Sequence, residues 1–128
     1  MLTRAALAVI WLLRLLPLQL LAPLGRGLGF LLYLLGRERR EVALTNLKLC
    51  FPQWSETERR RVGRAHFQAF GRSILEHGIL WWSSKARVQR LVRMEGIEHW
   101  QEVAGRPVIW LAPHFIGLDM GGMRLGSE

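Results

Sequence analysis

The sequence predicts an α/β fold preceded by an apolar anchor helix, and three observations carry that prediction. From Ala5 to Leu35 the chain is almost wholly apolar, with only Arg14 and Arg26 charged. From Arg37 to Trp82 apolar residues recur at helical spacing among many arginines. From Lys85 onward short apolar runs alternate with helix-like stretches and glycine turns, which reads as strand, helix, strand, helix, the opening of a sheet. The expected organisation is a membrane anchor over residues 1–36 and the N-terminal part of an incomplete domain over 37–128.

The bulk numbers agree with clustering of apolar residues. Half of the 128 residues are hydrophobic, mean hydropathy is +0.12, and yet 22% are charged. That length is enough for one small domain with a core. The net charge of +8 is mostly arginine, so an anionic partner is expected: nucleic acid, an anionic membrane surface or an acidic protein. Of these, nucleic acid itself is not expected, because the arginines are not interleaved with exposed aromatics in a recognisable motif. Cys50 is the single cysteine, so no internal disulfide can form; its apolar neighbours in LKLCFP suggest a packed thiol.

The anchor is long enough for a span, since about 20 apolar residues cross a bilayer. Arg14 would sit near the middle of the best window at a cost of about 2.5–3.5 kcal/mol, and Pro17 and Pro23 interrupt a helix. Two arrangements remain open: one kinked span, or two short helices in the interface with snorkelling arginines. Cleavage as a signal peptide is not expected, because LQLLAP lacks the small residues a cleavage site needs. The cluster Arg37, Arg39 and Arg40 then marks a cytoplasmic end or a headgroup contact. Val42, Leu44, Leu47 and Leu49 give a loosely amphipathic helix that Pro52 ends.

Ser55 followed by Glu58 is a capping box. The helix it opens runs to Trp81 and Trp82, which serve either as an interfacial anchor or as core. His66 and His77 lie eleven residues apart on this helix, about 16 Å along the axis, too far to share a metal ion. Beyond it, a short strand is expected around Val92 to Glu95, then a turn at Gly96, a helix through Trp100, a turn at Gly105-Arg106-Pro107, a buried strand from Val108 to Ala112, and a helix starting near Gly117.

The chemistry concentrates at the end of that second strand. His114 and Asp119 are five residues apart, and neither a continuous helix nor a continuous strand puts them on one face. They meet only if the chain turns between them, and Phe115-Ile116-Gly117 offers the turn. Asp119 would then fix the tautomer of His114 and leave its other nitrogen free as a base. A neutral imidazole suits removal of a hydroxyl proton at pH 7, and the helix N-terminus beyond offers amides for a developing oxyanion. The motif holds no Ser or Cys nucleophile, which favours direct attack by a substrate hydroxyl. Two ligands without a third give no metal site.

His114 to Asp119 resembles the H-x4-D/E motif of glycerolipid-type acyltransferases. NLKLCFP (Asn46 to Pro52), MEGIEHW (Met94 to Trp100) and PVIWLAPHFIGLDMGG (Pro107 to Gly122) resemble, in the same order, the late acyltransferases of lipid A biosynthesis, the lauroyl and myristoyl transferases of Gram-negative bacteria. The resemblance implies acyl transfer from acyl carrier protein to a hydroxyl of a lipid A precursor, at the cytoplasmic face of the inner membrane. It implies His114 as general base, Asp119 as its orienting partner, and no cofactor beyond the acyl carrier protein that donates the chain. Gly117 and Arg124 are candidate substrate contacts, Arg124 for phosphate. Gly121 and Gly122 suit close passage of an acyl chain or another backbone. Members of that family are more than twice this long, so the sequence reads as an N-terminal piece not expected to turn over by itself; the alternative is a truncated, non-catalytic membrane-associated protein.

Overall fold

The computed structural model describes residues 2–109 and 111–127. It is helical where it is regular: α1 Leu2–Leu13, α2 Leu18–Leu35, α3 Arg37–Cys50, α4 Glu56–Trp82, α5 Lys85–Leu91, α6 Ile97–Glu102 and α7 Leu118–Leu125. The chain divides into two compact units, Met1–Ile79 and Leu80–Glu128.

The expected α/β sheet is not present: among the described residues there is no strand. Val92 to Glu95 is an irregular link, although Val92 itself is extended (φ −116°, ψ 107°). Val108, Ile109, Leu111 and Ala112 form no ladder, and Trp110 lies outside the described residues. Ile109 and Leu111 are 100% and 95% exposed, the opposite of the burial expected. The physical reason is that a strand exists only through its partner, since each N–H and C=O needs a neighbouring ladder. Among the described residues no second extended segment lies alongside this one.

In the first unit, Arg14 to Pro17 break the apolar stretch into α1 and α2. Pro17 precedes α2 with φ −64°, as a proline at a helix start should. Of the described helices, α2 is the one long and apolar enough to cross a bilayer by length and composition. Its other face is built for close contact with α4. A Cβ on Gly71 would lie 2.5 Å from the Gly29 Cα and 2.6 Å from the Gly25 carbonyl oxygen, and one on Gly29 would strike the Phe67 backbone. Only hydrogen at these positions lets the two backbones approach. Around the crossing, Leu21, Tyr33, Phe67, Leu75 and Ile79 are buried, and the Tyr33 and Phe67 rings meet edge to face at 5.5 Å. Gly78 admits α1 in the same way, with the Ile10 carbonyl oxygen 2.7 Å from where its Cβ would stand.

The turn from α2 to α3 takes one residue, Gly36. Arg40 then reaches back and donates to the Tyr33 and Leu34 carbonyl oxygens (2.7 and 3.2 Å), placing a cation on the C-terminal end of α2. α4 starts as the capping box predicts, with the Glu58 N–H donating to Ser55 Oγ at 3.2 Å. Cys50 is exposed at the end of α3, correcting the packed thiol expected from its neighbours: α3 buries no residue fully.

In the second unit Leu80 and Val88 are buried. Trp81 and Trp82 are exposed and meet edge to face at 5.4 Å. α5 is capped by Ser84, whose side chain accepts from the Arg87 N–H.

Candidate active site

Between His114 and Asp119 the chain makes the turn that Phe115-Ile116-Gly117 offers. The Leu118 N–H donates to the Phe115 carbonyl oxygen at 3.1 Å, closing a four-residue turn. Gly117 holds φ 96°, ψ 0°, the third position of a type II turn, which a residue with a Cβ resists. The Gly121 N–H then donates to the Gly117 carbonyl oxygen at 3.1 Å and α7 begins. Asp119 stands in the first turn of α7, where the helix dipole and unpaired amides favour a negative charge. His114 precedes the turn in an irregular segment. Both residues are exposed, so water or a substrate reaches each of them.

A cavity of about 590 Å³ lies beside the motif. Leu111, Ala112 and Pro113, the three residues before His114, line one side; Leu118, Gly121, Gly122 and Leu125 of α7 line another; Trp100 and Val103 belong to the α6 side. The lining is mostly apolar. A Cβ on Gly121 or Gly122 would meet no atom within 4 Å, so these glycines leave open room where the sequence suggested close passage. Trp100 and Val103 are site lining that the sequence reading missed; their apolar character within MEGIEHWQEV is the signal that could have found them.

Arg124 is half-buried and acts inside the unit. Its Nε donates to the Val92 carbonyl oxygen at 3.1 Å and its Nη1 to Ser127 Oγ at 3.3 Å, while Gln89 Nε2 donates to the Ser127 carbonyl at 3.1 Å. These bonds tie α7 to the end of α5. The other histidines are placed separately. His77 Nδ1 lies 2.7 Å from the Ser73 carbonyl oxygen, which can only accept, so this nitrogen carries the proton. Among the described residues no three of His, Cys, Asp and Glu gather closely enough to hold a metal ion.

The chain belongs to the bacterial lipid A biosynthesis acyltransferase family, whose profile matches residues 1–128. It is 33% identical over 129 residues to the lipid A biosynthesis lauroyltransferase of Escherichia coli (strain K12), covering 99% of this chain and 42% of that protein. It is 32% identical over 127 residues to the lipid A biosynthesis palmitoleoyltransferase of the same organism, covering 98% of this chain and 42% of the relative. Against the lipid A biosynthesis myristoyltransferase of that organism it is 32% identical over 111 residues, 85% of this chain and 33% of the relative. The chain thus spans less than half the length of the curated relatives it matches. No solved structure matches it.

Proposed function

We propose that this chain carries the N-terminal anchor and catalytic motif of an acyltransferase that moves a fatty acyl chain from acyl carrier protein to a hydroxyl of a lipid A precursor, at the cytoplasmic face of the inner membrane. The observation that carries the reading is the H-x4-D motif, at a turn into α7, in a chain matched by the family over residues 1–128. His114 takes the hydroxyl proton as the oxygen attacks the thioester carbonyl. Asp119 orients the imidazole and stabilises its protonated form. Amides at the start of α7 meet the oxyanion. The C–S bond then breaks, and the imidazolium returns its proton to the leaving thiolate.

The apolar cavity beside the motif supports an acyl ligand, with Gly121 and Gly122 leaving it room and Gly117 letting the backbone turn toward the reacting carbonyl. Arg124 reaching a substrate phosphate would exchange its bonds to Val92 and Ser127 for it. The charge of +8 suits an acidic carrier protein, phosphates and an anionic membrane. The reading is tested in the complete enzyme by His114→Ala, with transfer measured from acyl carrier protein to the lipid A precursor. A fall of about 10²–10⁴-fold in rate is expected for loss of a general base; transfer at the native rate would sink the assignment.

A further inference from the structure

The Met1–Ile79 unit contains its own cavity, a groove of about 750 Å³ between α2, α3 and α4. Its volume falls in the range of small-ligand sites. The floor is the buried Phe67, and Leu32, Val62 and Phe70 form apolar walls. α3 contributes Val42, which stays 52% exposed on the groove, and no residue of α3 is fully buried. An apolar occupant would remove that surface from water.

The rim is polar and carries no acid. Arg39, Asn46 and His66 line the groove and are exposed. The neighbouring arginines are engaged: Arg37 pairs with Glu41 at 2.8 Å, Arg40 holds the end of α2, and Arg60 pairs with Glu56 at 2.5 Å. Arg39 has no hydrogen bond or ion pair among the described residues. The groove starts at Leu32 and Gly36, where α2 ends and the basic residues begin. With α2 in a bilayer, that is the depth at which hydrocarbon gives way to headgroups.

We propose that this groove binds one acyl chain of an anionic bilayer phospholipid, with the phosphate on Arg39. Charge complementarity selects the headgroup, since the only full charge on the described lining is positive. Continuity with the apolar helix selects the lipid, which reaches the groove from the bilayer without crossing water. Asn46 and His66 offer hydrogen-bond donors to the ester oxygens. The inference rests on the membrane placement of α2 and is independent of the chemistry at His114.

The test uses the full chain in phosphatidylcholine vesicles doped with phosphatidylglycerol bearing a photoreactive group on its acyl chain, with cross-linked peptides read by mass spectrometry. Cross-links are expected on residues 42–47 and 62–70. Arg39→Gln, an exposed change that leaves the fold intact, lowers them about fivefold, as does a phosphatidylcholine probe, on the scale of one basic residue at a lipid surface. Ala43→Trp fills the groove and abolishes them, while Leu35→Trp, on the 82% exposed end of α2, leaves them unchanged. His114→Ala also leaves the pattern unchanged, so failure of the catalytic assignment is read separately. Cross-links confined to the outer face of α2, equal labelling by both probes with no effect of Arg39→Gln, or cross-links from the groove to polypeptide would each overturn the proposal. A chain that does not partition into the vesicles would remove both this site and the membrane placement.

Discussion

Among the described carboxylates, Glu56 has the clearest electrostatic setting. Hydrogen bonds from the Arg60 side chain at 2.9 and 2.5 Å, and then its charge, hold the Glu56 carboxyl below its ordinary value of 4.5. A depressed carboxylate adds stability that is fully present above the unfolded value and is lost as pH falls through the folded one. Glu56→Gln is therefore expected to lower the thermal midpoint slightly at pH 7, with the gap closing below pH 4.5. High salt closes it too, because the pair is exposed and screened. A gap that persists in acid would assign the effect to the helix start rather than the pair. On the proposed mechanism Asp119 acts through His114, so Asp119→Asn is expected to slow transfer by the complete enzyme, and by less than His114→Ala does. Transfer at the native rate would mean that Asp119 does not assist His114. Residue types and spacing made the turn at Phe115-Ile116-Gly117 legible. They gave no hint that Arg124 binds the carbonyl of Val92, 32 residues earlier, since nothing local encodes that contact.

Among the elements, the contact between α2 and α4 is the most sharply specified. Gly25, Gly29 and Gly71 bring the backbones together, so Gly71→Val is expected to force them apart and destabilise the first unit by about 1–3 kcal/mol or more. Gly27 lies on the same helix but meets nothing within 4 Å. Gly27→Ala is therefore expected to be neutral or to stabilise by up to about 1 kcal/mol through helix propensity. Thermal unfolding followed by circular dichroism in detergent separates the two, and equal effects would show that the crossing does not depend on close approach. Helix ends are legible because their signals are local: Ser55 with Glu58, Pro52 after α3, Gly96 before α6. Among the described residues the strands expected at Val92–Glu95 and Val108–Ala112 do not form, because apolar, β-branched residues report a preference, whereas a strand also needs a partner elsewhere in the chain. The glycine pairing of α2 with α4 is hidden for a related reason: Gly25 and Gly29 sit in an apolar stretch that reads as anchor, and their counterpart is 42 or more residues away.

At the scale of the whole chain, α1 and α2 pack with α3 and α4 into one body through residue 79. α2 is apolar enough for a bilayer on its outward side, where Leu20, Leu24, Leu31 and Leu34 are exposed. Its other side covers Phe67 and Gly71 of α4. A helix that only tethered the protein would leave α4 with a finished polar surface when cut away. Here removal strips the cover from the Phe67 ring and the Gly71 backbone. Deletion of residues 1–36 is therefore expected to yield aggregated protein of reduced helicity rather than a soluble domain. Size-exclusion chromatography with circular dichroism checks this. A monodisperse product keeping the helix content of residues 37–128 would show that α1 and α2 are dispensable to the fold. Aggregation that detergent reverses, together with recovered helicity, would show that the same α4 surface accepts lipid-like cover in place of α2. That outcome would tie the core of this unit to the bilayer, since one helix would then face hydrocarbon on one side and complete a protein interior on the other.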